Sequence, residues 1–215
     1  MNNVIFHIDV NSAFLSWEAA YRIHHLGGTL DLRDIPSAVG GDTTKRHGII
    51  LAKSVPAKKY HIKTGESVTE ALRKCPDLVL VPPNYNLYQK SSSAFIHILK
   101  QYSPIVEQYS IDEAFMDMTG TEVLFGDPYQ AANDIKERIH KELGFTVNIG
   151  VSNNKVLAKM ASDFKKPDKV HTLWLSEIKE KNVAIICKRI IFRGQGNLSE
   201  ITESGNQDHR RIGAD

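Results

Sequence analysis

Residues 4–10, VIFHIDV, place Val4, Phe6 and Ile8 on one face and Ile5, His7 and Asp9 on the other. That alternation predicts a β-strand with Asp9 near its C-terminal end. The stretch SAFLSWEAAYRI that follows is compatible with a helix, and after it comes a loop-rich basic segment marked by Gly40-Gly41 and Val55-Pro56 and closed by Pro76. LVLV at 78–81 predicts a short strand ended by Pro82-Pro83. Tyr88, Phe95, Leu99 and Tyr102 recur at roughly helical spacing across 86–102, and Pro104 stops that helix. Two extended runs follow, around VEQYSI and AFMDM, and end at Thr119-Gly120. Asp127-Pro128 predicts a helix start, with aspartate as N-cap and proline at the first helical position. Ala131, Ile135, Ile139 and Leu143 continue that helix at intervals of four, and Gly144 ends it. TVNIGVS (146–152) alternates again as a strand, and Ser152 is expected to cap a helix carrying Val156, Met160 and Phe164.

With the insert and its short strand set aside, the order is β-α-β-β-α-β, the split pattern of ferredoxin-like α+β folds. The 215 residues, 41% hydrophobic and 24% charged, are ordinary for a globular protein and exclude a collagen-like, coiled-coil or wholly disordered chain. Two cysteines, Cys75 and Cys187, make no disulfide framework, so a reducing compartment is expected. The N-terminus has no secretion-signal pattern and no apolar run approaches the ~18 residues of a membrane span, so the expected location is the cytoplasm. The formal net charge is only +2, yet residues 43–74 carry eight Lys or Arg against Glu66 and Glu70. Such a segment faces phosphates or is a solvated basic surface.

Three acids stand out. Asp9 lies at a strand end, and Asp112-Glu113 lie between two extended segments in YSIDEAFMD. In the split βαββαβ arrangement the strands that carry them are central neighbours, which brings the acids toward one another. Three carboxylates with a backbone carbonyl make a hard, oxygen-rich site of the kind that holds Mg²⁺ with substrate phosphates, and such a site suits two-metal phosphoryl transfer. The plainer alternative is a set of strand-end and turn acids in water.

The blocks FHIDVNSAFLSWE (6–18), AKSVPAKKYHIKTGE (52–66), YSIDEAFMDMTG (109–120) and VNIGVSNNKVLAKMASDFKKPD (147–168) resemble the catalytic core of Y-family translesion DNA polymerases, the bacterial polymerase IV group with its UmuC-like domain. The resemblance covers residues 1 to about 181. It implies a palm from residues 1–12 and 78–175, a fingers domain from 13–77, and a linker and tail from 176–215. It also implies template-directed nucleotidyl transfer with two Mg²⁺ ions on Asp9, Asp112, Glu113 and the Val10 carbonyl. Ser12, Ala13, Phe14, Lys58 and Lys166 fall at nucleotide-binding positions, with Phe14 the steric gate against a ribose 2′-hydroxyl. Lys155 and Lys159, one helical turn apart, fall where the primer-template backbone runs. The implied partners are primer-template DNA, deoxynucleoside triphosphates and, for a full-length parent, a sliding clamp; the implied state is a monomer without a membrane partner.

Four positions depart from the family pattern: Ala13 precedes Phe14 where an aromatic pair is frequent, Asn11 replaces a frequent Asp, Val55 a frequent Tyr, and Lys58 a frequent Arg. The last change turns a bidentate fork into a point charge. From Asn182 the chain reads NVAIICKRIIFRGQG and onward, unlike the family's linker, thumb and little finger. Back-translated and read one nucleotide further on, it permits a continuous family-like stretch beginning MWPL. A single-nucleotide frameshift near codon 182 is therefore expected to have replaced the native C-terminus, leaving a poorly ordered tail and weak DNA binding. Two further readings are a truncated remnant that folds without catalysis and, with less support, a palm-fold nucleotide cyclase.

Overall fold

The computed structural model describes residues 3–41 and 48–178. Lys45, Arg46, Cys187 and the whole tail from Asn182 lie outside them. Among the described residues, eight strands form two sheets. A five-stranded sheet has the order β5-β6-β1-β7-β8, from β1 (Ile5–Val10), β5 (Val106–Gln108), β6 (Glu113–Asp117), β7 (Val147–Ser152) and β8 (Val170–Thr172). A three-stranded sheet has the order β3-β2-β4, from β2 (Ser37–Gly40), β3 (Ile50–Lys53) and β4 (Val79–Val81). The helices are α1 (Ala13–His25), α2 (Val55–Lys58), α3 (Val68–Lys74), α4 (Tyr85–Leu99), α5 (Glu122–Phe125), α6 (Pro128–Leu143) and α7 (Lys155–Ser162).

The elements β1, α4, β5, β6, α6 and β7 reproduce the split βαββαβ order, with β1 central and antiparallel to both β6 and β7. Phe6, Ile8 and Val10 of β1 and Val147, Ile149 and Val151 of β7 join Phe95 and Leu99 of α4 and Ile135 and Ile139 of α6 in the main core. The opposite face of β1 carries His7 and Asp9, and α7 covers the His7 end of it. Around Gly150 that cover is so close that a Cβ would lie 1.9 Å from the Ala158 carbonyl oxygen and 2.4 Å from the Ser162 amide nitrogen. His7, opposite Gly150 in the ladder, is fully buried and shares a 2.8 Å hydrogen bond between its Nδ1 and Ser162 Oγ. Burial, reinforced by Lys159, pushes its pKa down to about 3, so the ring is neutral. A second core of Ala38, Ile50, Ala57, Ile62, Val68, Ala71, Cys75 and Leu78 supports the smaller sheet.

Local signals account for most boundaries. Asp127 caps α6 by accepting from the Tyr129 and Gln130 amides, and Gly144 ends it in the left-handed region at φ 73°. Two expectations need correction. The basic segment is not simply loop-rich, since β2, β3, α2 and α3 fall within or beside it; strands of four residues are too short to show a period. Ser152 does not cap the last helix: it is the final residue of β7, its Oγ donates to the Leu173 carbonyl, and Asn154 caps α7 by accepting from the Leu157 amide. The four-residue stripe also misleads there. Val156 is exposed and Phe164 lies past the helix end, whereas Leu157, Ala158, Met160 and Ala161 are buried. Residues 170–172 add β8 parallel to β7, which carries no sequence signal of its own.

Replacing Gly150 by Ala forces α7 off the sheet, because both close contacts are backbone atoms that cannot rotate away. The expected loss is about 3 kcal/mol or more of unfolding free energy, read from urea melts of the two chains.

Candidate active site

The β1–β6 register sets Asp9 directly opposite Glu113, and the β1–β7 register sets it opposite Asn148, so all three side chains share one face of the sheet. Asp112 is held beside them by the backbone. Its carbonyl accepts from the Val10 amide at 3.0 Å, and its Oδ1 accepts from Ser110 Oγ at 2.7 Å. The amides of Tyr109 and Ser110 both donate to the Glu113 carbonyl and close the β5–β6 turn. The convergence expected of Asp9, Val10, Asp112 and Glu113 is thus present as a strand register with a tight turn at its end.

Two lysines already sit on these acids. Lys166 Nζ donates to Asp9 Oδ2 at 2.7 Å and is 2.8 Å from Asp163 Oδ1, while Lys159 Nζ donates to Glu113 Oε1 at 2.8 Å. Burial pushes the Asp9 carboxyl up to about 6; Lys166 opposes the rise, and the neighbouring Glu113 and Asp112 charges add to it. Burial lowers the Lys166 pKa, but Asp9 and Asp163 outweigh it and the net shift is upward. Lys159 also stands 4.7 Å over the Tyr109 ring, and Lys155 pairs with Glu107 and lies 5.5 Å over the Phe115 ring. Both α7 lysines are therefore engaged with β5, β6 and their turn.

A cleft of about 360 Å³ opens beside the acids. It is lined by Asp9, Val10, Ser12, Ala13, Phe14 and Asp112 on one side and by Leu51, Ala52, Lys53, Lys58 and Thr64 on the other. Ser12 takes a left-handed conformation, φ 49° and ψ 49°, at the turn from β1 into α1, and its carbonyl accepts from the Ser16 amide. That turn starts α1 at Ala13 and brings Phe14 to the cleft, where its ring stacks on Tyr88 with centroids 4.6 Å apart. Lys58 ends α2 and is exposed, as the fold delivers it to the rim. Lys166 touches Asp9 without lining the cleft. Sequence reasoning did not single out Lys53 and Thr64, although both lie within the block AKSVPAKKYHIKTGE. Lys53 Nζ donates to Thr64 Oγ1 at 3.2 Å, and burial followed by Lys58 lowers its pKa. Asp163, which shares Lys166 with Asp9, was likewise not foreseen.

The donors fit a hard divalent cation in kind: three carboxylates and a carbonyl, all oxygen. In position, two of those carboxylates are held by ammonium groups, and among the described residues no three His, Cys, Asp or Glu side chains form a ready-made ion-binding group. The raised Asp9 pKa comes first from burial and then from the like charges of Glu113 and Asp112.

That rise has a consequence for stability. A folded-state pKa raised from 3.8 to about 6 means the folded chain holds a proton that the unfolded chain has lost. Stability therefore falls as the pH rises from about 4 through 6. In chelator-treated buffer, Asp9→Asn is expected to be more stable than the parent at pH 7.5 by about 1–2 kcal/mol and equal to it near pH 4, as read from urea melts at both values.

The family model described as impB/mucB/samB matches residues 8–163. A DNA polymerase IV of Clostridium acetobutylicum is 52% identical over 181 residues, 84% of this chain and 45% of the relative. One of Acetivibrio thermocellus is 43% identical over 201 residues, 94% and 49% respectively. The chain therefore spans about half the length of the curated relatives it matches. Among solved structures, one titled as DinB from Sulfolobus solfataricus superposes with a TM-score of 0.72 at 25% identity, covering 82% of this chain and 50% of that one. An insertion ternary complex of Dbh DNA polymerase gives 0.72 at 25% identity, covering 83% and 51%. With more than half of its residues matched by that model, the chain belongs to the impB/mucB/samB family.

Proposed function

We propose that this chain carries the palm and fingers of a DNA-directed DNA polymerase that performs error-prone translesion synthesis. The observation that carries the reading is Asp9 opposite Glu113, with Asp112 tied to Val10, at the mouth of a cleft lined by Phe14 and Lys58. Acids alone repel a triphosphate; acids beside lysines at an open cleft suit a substrate that arrives with its own cations. The relatives' printed names and the Dbh complex support DNA and nucleotides as the partners of this chain.

In this reading Asp9, Asp112, Glu113 and the Val10 carbonyl would hold two Mg²⁺ ions. Those ions would supply activation of the attacking primer hydroxyl and neutralisation of charge on the departing phosphates. The chain's own residues do the positioning. Lys166 holds Asp9, and Lys53 of β3 and Lys58 of α2 face the cleft, so a triphosphate bound there would meet two ammonium groups on the side opposite the acids. Phe14, stacked on Tyr88, would present an apolar ring to the sugar of a bound nucleotide and crowd a 2′-hydroxyl. Lys155 and Lys159, paired with Glu107 and Glu113 and not among the residues that line the cleft, would meet the primer-template backbone by exchanging their carboxylate partners for phosphates. The five-stranded sheet corresponds to the palm, and the three-stranded sheet with α2 and α3 to the fingers. No helix among the described residues is long and apolar enough to cross a membrane.

The test is single-nucleotide primer extension with Mg²⁺ at low salt and high protein concentration. The parent chain is expected to add a deoxynucleotide, and Asp112→Ala to lose at least about a hundredfold in rate. Failure of both to extend assigns the chain to the non-catalytic class, and cyclic products from ATP or GTP alone assign it to the cyclases.

A further inference from the structure

Glu18 lies on α1 one turn beyond Phe14, and its side chain is only 6% exposed. Nothing in the proposed chemistry uses it. A carboxyl withdrawn from water in this way needs partners. Its Oε1 accepts the hydroxyl proton of Tyr88 at 3.1 Å, and its Oε2 lies 3.9 Å from Arg22 Nε. Burial raises the Glu18 pKa, and the Tyr88 hydrogen bond and Arg22 oppose that rise. Burial also pushes the Tyr88 phenol well above its ordinary value, so it remains a donor at every working pH.

Tyr88 is fully buried on α4, with its ring nearly parallel to that of Phe14: centroids 4.6 Å apart, planes 17° apart. Trp17 and Tyr85 meet the same ring at tilted and edge-on angles, 5.8 Å each. A near-parallel stack transmits orientation, because tilting the lower ring tilts the surface on which the upper one rests. The hydroxyl is the polar anchor of Tyr88, and Glu18 holds that hydroxyl. The link runs from Glu18 through Tyr88 to the ring that lines the nucleotide cleft.

We propose that Glu18 is a positioning residue for sugar selection, acting through the Tyr88 hydroxyl to hold the Phe14 ring in the plane it presents to the cleft. The inference rests on the reading of Phe14 given under the proposed function, and it adds a polar control on an apolar surface. A carboxyl serving the fold alone would weaken binding of both sugars equally when lost. A carboxyl that sets the Phe14 plane alters the ratio between them.

The measurement is equilibrium binding of dATP and of ATP to the full chain with Mg²⁺ and primer-template DNA whose primer ends in a 2′,3′-dideoxynucleotide, expressed as the ratio of Kd for ATP to Kd for dATP. Phe14→Ala is expected to collapse the preference for dATP. Glu18→Leu and Tyr88→Phe, which remove one hydrogen bond from its two ends, are expected to lower the ratio by about three- to tenfold. Glu18→Gln keeps an acceptor for the hydroxyl and is expected to hold the ratio within about twofold of the parent. Tyr88→Phe preserves the stack and its volume, so the inference stays testable if Glu18→Leu does not fold. If Phe14→Ala lowers the ratio while Glu18→Leu or Tyr88→Phe leaves it unchanged, the Glu18 inference is overturned and the Phe14 reading stands. If neither nucleotide binds, or Phe14→Ala leaves the ratio unchanged, the Phe14 reading fails and this inference falls with it.

Discussion

The structure turns on two like charges facing each other across an antiparallel ladder. Asp9 and Glu113 occupy opposed positions on β1 and β6, with Asp112 at the turn beside them. Like charges placed directly opposite destabilise a sheet, and partial burial worsens the conflict, as the raised Asp9 pKa records. A one-residue slip of β1 would separate the acids, and it would also turn Phe6 and Ile8 out of the core. The apolar face therefore enforces the strained polar face, and the large buried side chains of the main core hold the acids together.

Two lysines make that arrangement tolerable, and their reach depends on how α7 is seated. Lys159 belongs to α7 and Lys166 follows shortly after it. Both touch acids because the helix lies on the sheet at Gly150, closer than any side chain would permit. The same approach buries His7 against Ser162 and keeps its ring neutral, so His7 adds no positive charge on the Asp9 face. A glycine in one strand and a short helix thus carry an electrostatic consequence at the far end of the ladder. The balance is local: each ammonium reaches one of the two opposed carboxylates, and Lys166 is shared with Asp163.

Legibility in the sequence followed the length of each signal. β1 and β7, six residues each, announced themselves by alternation, and α6 by its N-cap, its four-residue stripe and its terminal glycine. The three acids were readable as a cluster because the element order alone made β1 and β6 neighbours. The four-residue strands β2 and β3 were not readable, since two side chains per face cannot establish a period. α7 was placed a little early because Ser152 and Asn154 are both competent caps, and only the hydrogen bond from Ser152 to Leu173 assigns the serine to the strand. Lys53, Thr64 and Asp163 escaped for a different reason: their significance lies in what they meet across the fold, and single charged or hydroxyl residues carry no pattern.

The cleft itself belongs to neither sheet. Its acids come from the turn ends of the five-stranded sheet, which rests on the main core; its lysines come from β3 and α2, which rest on the second core. Between them stands α1, whose Leu15, Trp17 and Ala19 pack into the main core while Phe14 looks out into the gap. Charge is thus placed by two separate foundations, and shape by a third element wedged between them. Substitutions in the smaller core reach the lysine side of the cleft without disturbing the register of Asp9 and Glu113. Substitutions along α1 and α4 reach the Phe14 ring without altering the charge. The acids, the lysines and the aromatic wall of the cleft consequently rest on three different sets of packing contacts.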